Sequence, residues 1–306
     1  PCWPMRHVPR TRVACMGDSI TRGNASHEPG ENGTHRPHKP KIANRGNFPL
    51  ELQRLMGGSW EVRNFGHGGR SVVGASAYDK TAEFERACRF APAIVLLMLG
   101  TNDAKVCPTV PTPAVEVPLP CKGRRRGGVW DAEAFGPSLE ALARRILRLP
   151  SRPSLILLAP PPVLPSAYHG TSINSDVLST QVHPRIVGVA RALAKTTAHQ
   201  PRLERCAAGE VGWIDLSRGA WPGCPASIDA CRTFLLADGV HTTATGAAAL
   251  ARVVAARLQR CRPAPGARSL YPTSMEPTPL HPRRRFASHA RRLHSNDRVA
   301  HPCSDC

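Results

Sequence analysis

Short apolar runs at residues 12–16, 60–65, 93–99, 154–159 and 211–216 are separated by segments with helical spacing, and this alternation constrains the fold more than any other feature of the chain. Each run is short and reads as a strand of a sheet covered on both faces. The helix candidates are residues 48–56, 81–88, 132–149, 174–197 and 243–260. In the third of these, Leu139, Leu142, Ala143, Ile146 and Leu147 recur at helical spacing and define one buried face. Strands alternating with helices predict an α/β chain with a parallel sheet covered on both sides.

The first run ends in Gly17-Asp18-Ser19, which puts a serine on a turn at the carboxyl edge of such a sheet, where open α/β folds hold their sites. Far along the chain lies Asp238-Gly239-Val240-His241. A serine hydroxyl is a weak nucleophile alone; His241 would take its proton and Asp238 would fix the imidazole tautomer. Ser19, Asp238 and His241 therefore supply the parts of a hydrolytic triad, provided one unit of roughly 250 residues joins them, a size that a single core sustains. Two more segments, Asn64-Phe65-Gly66-His67-Gly68-Gly69 and Gly100-Thr101-Asn102-Asp103, each follow a strand-like run. Acyl transfer needs donors for a developing oxyanion, and the candidates are the Ser19 N–H, the Gly69 N–H and the Asn102 side-chain amide. Taken singly, Gly66, Gly68 and Gly69 fit a flexible turn, and Asn102 fits a helix cap. Their joint occurrence, in order and after strands, carries the hydrolase reading.

The four blocks Gly17-Asp18-Ser19, Asn64-x-Gly66-x-x-Gly69, Gly100-Thr101-Asn102-Asp103 and Asp238-x-x-His241 resemble those of the SGNH hydrolases, the GDSL esterases and lipases, over residues 11–260. The resemblance implies a flavodoxin-like, three-layer α/β/α fold around a five-stranded parallel sheet. It also implies Ser19 as nucleophile, Asp238 and His241 as its triad partners, and an oxyanion hole of Ser19, Gly69 and Asn102, with no metal and no organic cofactor. Residues 48–53, 100–105 and 160–162 are similar to a subgroup of sialate or carbohydrate O-acetylesterases. The expected function is a serine esterase acting on small acyl esters, acetyl above all, of a small molecule or carbohydrate. Longer acyl chains or thioesters are the alternative, since loops set pocket depth. A reading of another class is a non-catalytic binder of acidic glycan or nucleic acid.

That last reading comes from the formal charge of +19, most of it arginine, with clusters at 122–126, 283–285 and 291–292. No aromatic residues interleave the clusters for base stacking, so solvated charge is the simpler account and nucleic acid is not the expected partner. His67, Arg70 and Lys105 sit beside the blocks and read as exposed surface or cleft edge. The eleven cysteines favour an oxidising compartment, with Cys107 and Cys121, and Cys224 and Cys231, each bracketing a loop that a disulfide could close. Cys303-x-x-Cys306 lacks a second ligand pair for zinc. No run approaches the roughly 18 apolar residues of a membrane span. The expected organisation is an N-terminal extension (1–10), one hydrolase domain (11–262) with a Pro- and Arg-rich insertion at 107–128, and a disordered basic tail (263–306).

Overall fold

The computed structural model describes residues 10–23, 47–106, 130–165, 171–197, 209–224 and 227–260, together with the backbone of two short strands at Thr109–Pro111 and Glu116–Pro118. The main sheet contains β1 (Thr11–Gly17), β2 (Trp60–Gly66), β3 (Ile94–Met98), β6 (Ser154–Ala159) and β7 (Val211–Asp215). Its order is β2-β1-β3-β6-β7, and each adjacent pair is parallel. The second strand lies on one side of the first and all later ones lie on the other, which is the flavodoxin-like order. The direction of winding therefore reverses at β1, and the carboxyl ends of β1 and β3 flank the crevice that this reversal opens.

The central strands are apolar throughout because both of their faces are covered. Val13 to Met16, Ile94 to Met98 and Leu155 to Ala159 are all buried, and alternate side chains enter opposite cores. On one face Ala14, Met16, Val95, Leu97 and Leu157 pack with α3 (Ala82–Arg89), α4 (Ala132–Leu147) and α6 (His183–Thr197). On the other, Val13, Cys15, Leu96, Met98 and Leu158 pack with α2 (Phe48–Met56) and α8 (Ala244–Gln259). The result is the three-layer α/β/α arrangement expected from the sequence.

Helix boundaries differ from the sequence reading for identifiable reasons. Thr81 and Thr243 are extended caps rather than first helical residues, each accepting a backbone N–H with its hydroxyl, from Phe84 and Gly246 respectively. The fourth helix ends at Leu147, shortly before Pro150. Residues 174–197 do not form one regular helix. Asn174 caps a single turn, α5 (Ser175–Val177), and a π-turn (Leu178–Val182) follows before α6 begins. Pro184 has no N–H to give to the carbonyl four residues back, so the ladder has to be rearranged where that bond would fall.

β4 (Thr109–Pro111) and β5 (Glu116–Pro118) pair antiparallel in a small sheet of their own; the rest of 107–129 lies outside the described residues. So do the N-terminal extension up to residue 9, the 263–306 tail, the Cys107 to Cys121 pairing, Cys303 and Cys306, and the basic clusters at 122–126, 283–285 and 291–292. Several described arginines pair with acids one turn away, as in Arg54–Glu51, Arg86–Glu83 and Arg144–Glu140. Among the described residues no helix is long and apolar enough to cross a membrane.

Candidate active site

At the end of β1 the backbone passes so close to its neighbours that a Cβ on Gly17 would lie 2.4 Å from the Met98 carbonyl oxygen and 2.3 Å from Thr21 Oγ1. Only glycine permits this approach. Asp18 then caps the short helix α1 (Ser19–Arg22), its Oδ1 accepting the Ile20 N–H at 2.9 Å. Ser19 is thereby set in the first helical position, at the mouth of the crevice.

The loop before α8 supplies the partner groups. Asp238 Oδ1 accepts the backbone N–H groups of Val240 and His241, both at 2.9 Å, so its other oxygen is turned toward the imidazole. His241 Nδ1 lies 2.5 Å from Asp238 Oδ2, and His241 Nε2 lies 2.8 Å from Ser19 Oγ. With the Nδ1 proton donated to Asp238, Nε2 is left to accept from the serine hydroxyl. This loop is held from several sides: Leu164 N–H donates to Gly239 O, Leu236 N–H donates to His241 O, and Thr243 caps the following helix. Just upstream, a disulfide joins Cys224 to Cys231 of α7 (Ile228–Arg232), and Trp221 stacks on Phe234 with ring centroids 5.8 Å apart.

Burial alone would lower the pKa of His241, but the hydrogen bond and charge of Asp238, with Asp18 adding to them, outweigh it and leave the imidazole above its ordinary value. For Asp238, burial pushes upward, while His241 and the two N–H donors hold the carboxyl below its usual range. The pair therefore stabilises its own charged form.

Opposite the serine stand the two middle blocks. Gly69 has φ +75°, a left-handed conformation natural to glycine. The Asn102 amide donates to the Arg70 carbonyl at 3.0 Å and approaches Asp18 Oδ2 at 3.4 Å, so it faces the serine turn rather than capping its own segment. Asn64 ties β2 to the serine helix, donating to Thr21 O at 2.9 Å and accepting the Gly66 N–H at 2.8 Å. The fold thus gathers Ser19, Asn102, Asp238 and His241 directly, with Gly69 one residue from the carbonyl that Asn102 holds.

Two carboxylates that the sequence reading left without a role are buried here. Burial pushes Asp18 up to about 6 and Asp103 up to about 7. Their sequence signal was only their place beside Ser19 and Asn102. His67 is half-buried and bridges Glu83 Oε2 at 2.6 Å and the Arg70 guanidinium at 3.0 Å. Lys105 is half-buried, and burial lowers its pKa. Among the described residues no group of three His, Cys, Asp or Glu side chains is placed to hold a metal ion.

The sequence profile of the GDSL-like lipase/acylhydrolase family matches residues 15–249 and so takes in the four blocks together. The chain belongs to this family. Carboxylic ester hydrolysis is the reaction class that goes with it. This GDSL-like hydrolase is similar to an acetylxylan esterase from Xylanibacter ruminicola, with 32% identity over 96 residues, 31% of this chain and 17% of that protein's length. Its fold is like that of a carbohydrate acetylesterase family member from Sinorhizobium meliloti (18% identity, TM-score 0.51, covering 81% of this chain and 97% of that one). It is also like an acetylxylan esterase from Geobacillus stearothermophilus (16% identity, TM-score 0.50, covering 83% and 98%). At these identities the two structures bear on fold alone.

Proposed function

We propose that this GDSL-like hydrolase is a serine esterase that removes small acyl groups, acetyl above all, from carbohydrate esters through an acyl-enzyme on Ser19. The observation that carries the reading is the hydrogen-bonded chain Ser19–His241–Asp238, which spans 222 positions of sequence at its first link. In this mechanism His241 accepts the hydroxyl proton as Ser19 Oγ attacks the ester carbonyl, then returns it to the departing alcohol. Water enters with His241 again as base and releases the acid. The Ser19 and Gly69 N–H groups and the Asn102 amide take the charge that forms on the carbonyl oxygen. The acetylxylan esterase likeness supports acetylated carbohydrate as the substrate class. The Cys224–Cys231 bridge supports an oxidising compartment.

A panel of p-nitrophenyl esters of rising acyl length, with acetylated xylan and an acetylated monosaccharide, tests the substrate. Release of acetate is expected from the carbohydrates, with kcat/KM falling as the acyl chain lengthens. A rise toward long chains would replace the acetylesterase reading with a lipase one.

The mechanism also sets a pH dependence. His241 must be neutral to act as base, so kcat/KM should rise with pH through a value above the ordinary histidine 6.5. Asp238→Asn removes the charge that raises it, and the acid limb should move to lower pH while kcat falls by roughly 10⁴-fold. A limb that stays in place would separate the acid titration from His241.

A further inference from the structure

Asp103 takes no proton in the reaction above and touches neither Ser19 nor His241, yet it is held at 3% exposure immediately after Asn102. Its carboxylate is fully engaged on one loop: Oδ1 accepts the Val72 N–H at 2.9 Å and the Val73 N–H at 3.1 Å, and Oδ2 shares the Val72 N–H at 3.0 Å. Asn102, its neighbour, grips the same loop through the Arg70 carbonyl. Consecutive side chains after β3 therefore hold consecutive stretches of the segment that begins at Gly69. Its other hydrogen bonds run to nearby residues of the chain, as in Tyr78 N–H to Ser71 O and Ser71 N–H to Ser76 O.

We infer that Asp103 is the positioning residue of the oxyanion hole, locking the 69–73 loop to the Asn102 segment so that the Gly69 N–H and the Asn102 amide converge on one oxygen. The inference rests on the serine-esterase reading. A buried carboxylate is costly, and a site that needed only shape would be served by a neutral residue. The ionised carboxylate presents only acceptors to the two adjacent N–H groups, and these N–H groups in turn favour that form against the burial that raises its pKa. Asparagine has the same shape, but either orientation sets an NH₂ group against the Val72 N–H, donor facing donor. With its oxygen in the Oδ1 place the Val72 and Val73 bonds survive, but the repulsion between the NH₂ group at the Oδ2 place and the Val72 N–H pushes the loop outward, and Gly69 with it.

The test uses full-length Asp103→Asn and Asp103→Glu beside the parent and Ser19→Ala. The readouts are kcat and KM for p-nitrophenyl acetate, inhibition by phenylboronic acid, whose tetrahedral adduct needs the hole, and near-UV circular dichroism for folding. Loss of one donor from such a hole costs about 10²–10³ in kcat. Asp103→Asn should lose about 30- to 100-fold in kcat, a displaced donor being less damaging than a missing one, with KM within about threefold. Boronate affinity should fall by a similar factor. Folded Asp103→Asn with parental kcat, or with a loss confined to KM, overturns the inference. Should that variant not fold, Asp103→Glu keeps the charge but reaches one methylene further, and it should show the same loss in kcat alone; parental kcat there also overturns the inference. Ser19→Ala separates the two levels: if it keeps the parent's rate, the serine reading itself fails, and if it alone is inactive, only the role of Asp103 fails.

Discussion

Ser19→Ala is expected to lower kcat for p-nitrophenyl acetate by on the order of 10⁶-fold while leaving the unfolding midpoint close to that of the parent. The two halves of this result have different causes. In the proposed mechanism the hydroxyl is the atom that forms the bond to the acyl carbon, and no neighbouring group can take over. A water held against His241 would have to attack without a covalent intermediate, leaving only the roughly 10³-fold advantage over free water that the oxyanion donors and binding provide. Stability is spared because alanine suits the first turn of a helix, Asp18 still caps that helix through Ile20, and the small space left lies at the crevice rather than in either core. Initial rates beside a thermal melt decide the matter. A variant within tenfold of the parent would remove Ser19 from the chemistry.

Asn102→Ala should lose about 10²–10³-fold in kcat, or about 3–4 kcal/mol of transition-state stabilisation, with KM little changed. In the proposed oxyanion hole its amide would meet an oxygen that bears full charge only as the carbonyl becomes tetrahedral, so the interaction would be worth more there than in the bound ester. The environment of this residue makes a second substitution more telling. Asn102→Asp has nearly the same shape, but it sets an acceptor against the Arg70 carbonyl and a carboxylate within 3.4 Å of Asp18 Oδ2. Like charges this close in a buried site repel strongly. Asn102→Asp should therefore be less active than Asn102→Ala despite being the smaller change in shape. The opposite order of rates would show that the amide acts by filling space rather than by donating.

The legibility of the chain varied with the range of the interaction concerned. The strands were visible because a sheet covered on both faces demands unbroken apolar stretches, and residues 12–16, 93–99 and 154–159 have them. The edge strand β7 is less fully buried, with Val211, Gly212 and Trp213 only half-covered, yet its apolar run still marked it. The π-turn at Leu178–Val182 was hidden, since it arises from a hydrogen bond that Pro184 cannot make and leaves the hydrophobic period nearly intact. The short antiparallel pair Thr109–Pro111 and Glu116–Pro118 was hidden too, in a segment dense with proline, where propensity argues against strands.

The site divides in the same way. Ser19, Gly69, Asn102, Asp238 and His241 could be proposed from their blocks, because a candidate nucleophile, a base, its orienting acid and the donors are chemically distinct residue types that follow strands in order. Asp18 and Asp103 could not be assigned. A carboxylate looks the same in sequence whether it faces water or is closed off beneath a loop, and only burial reveals that Asp103 accepts from Val72 and Val73. The partners of His67 were hidden for a related reason, because Glu83 and Arg70 engage its two nitrogens only once the chain is folded.

Residue order alone determined the alternation of strand and helix, the α/β class and the set of groups able to carry out acyl transfer, since each depends on local periodicity or on side-chain chemistry. Tertiary structure decided which of those groups touch. Reversal of winding at β1 places the ends of β1 and β3 side by side, and packing of α8 against α2 brings the loop before α8 over the serine turn, closing a gap of 222 positions to 2.8 Å. Distances of that kind, and the burial that raises or lowers each proton's affinity, are properties of the packed chain as a whole and are written in no single segment of it.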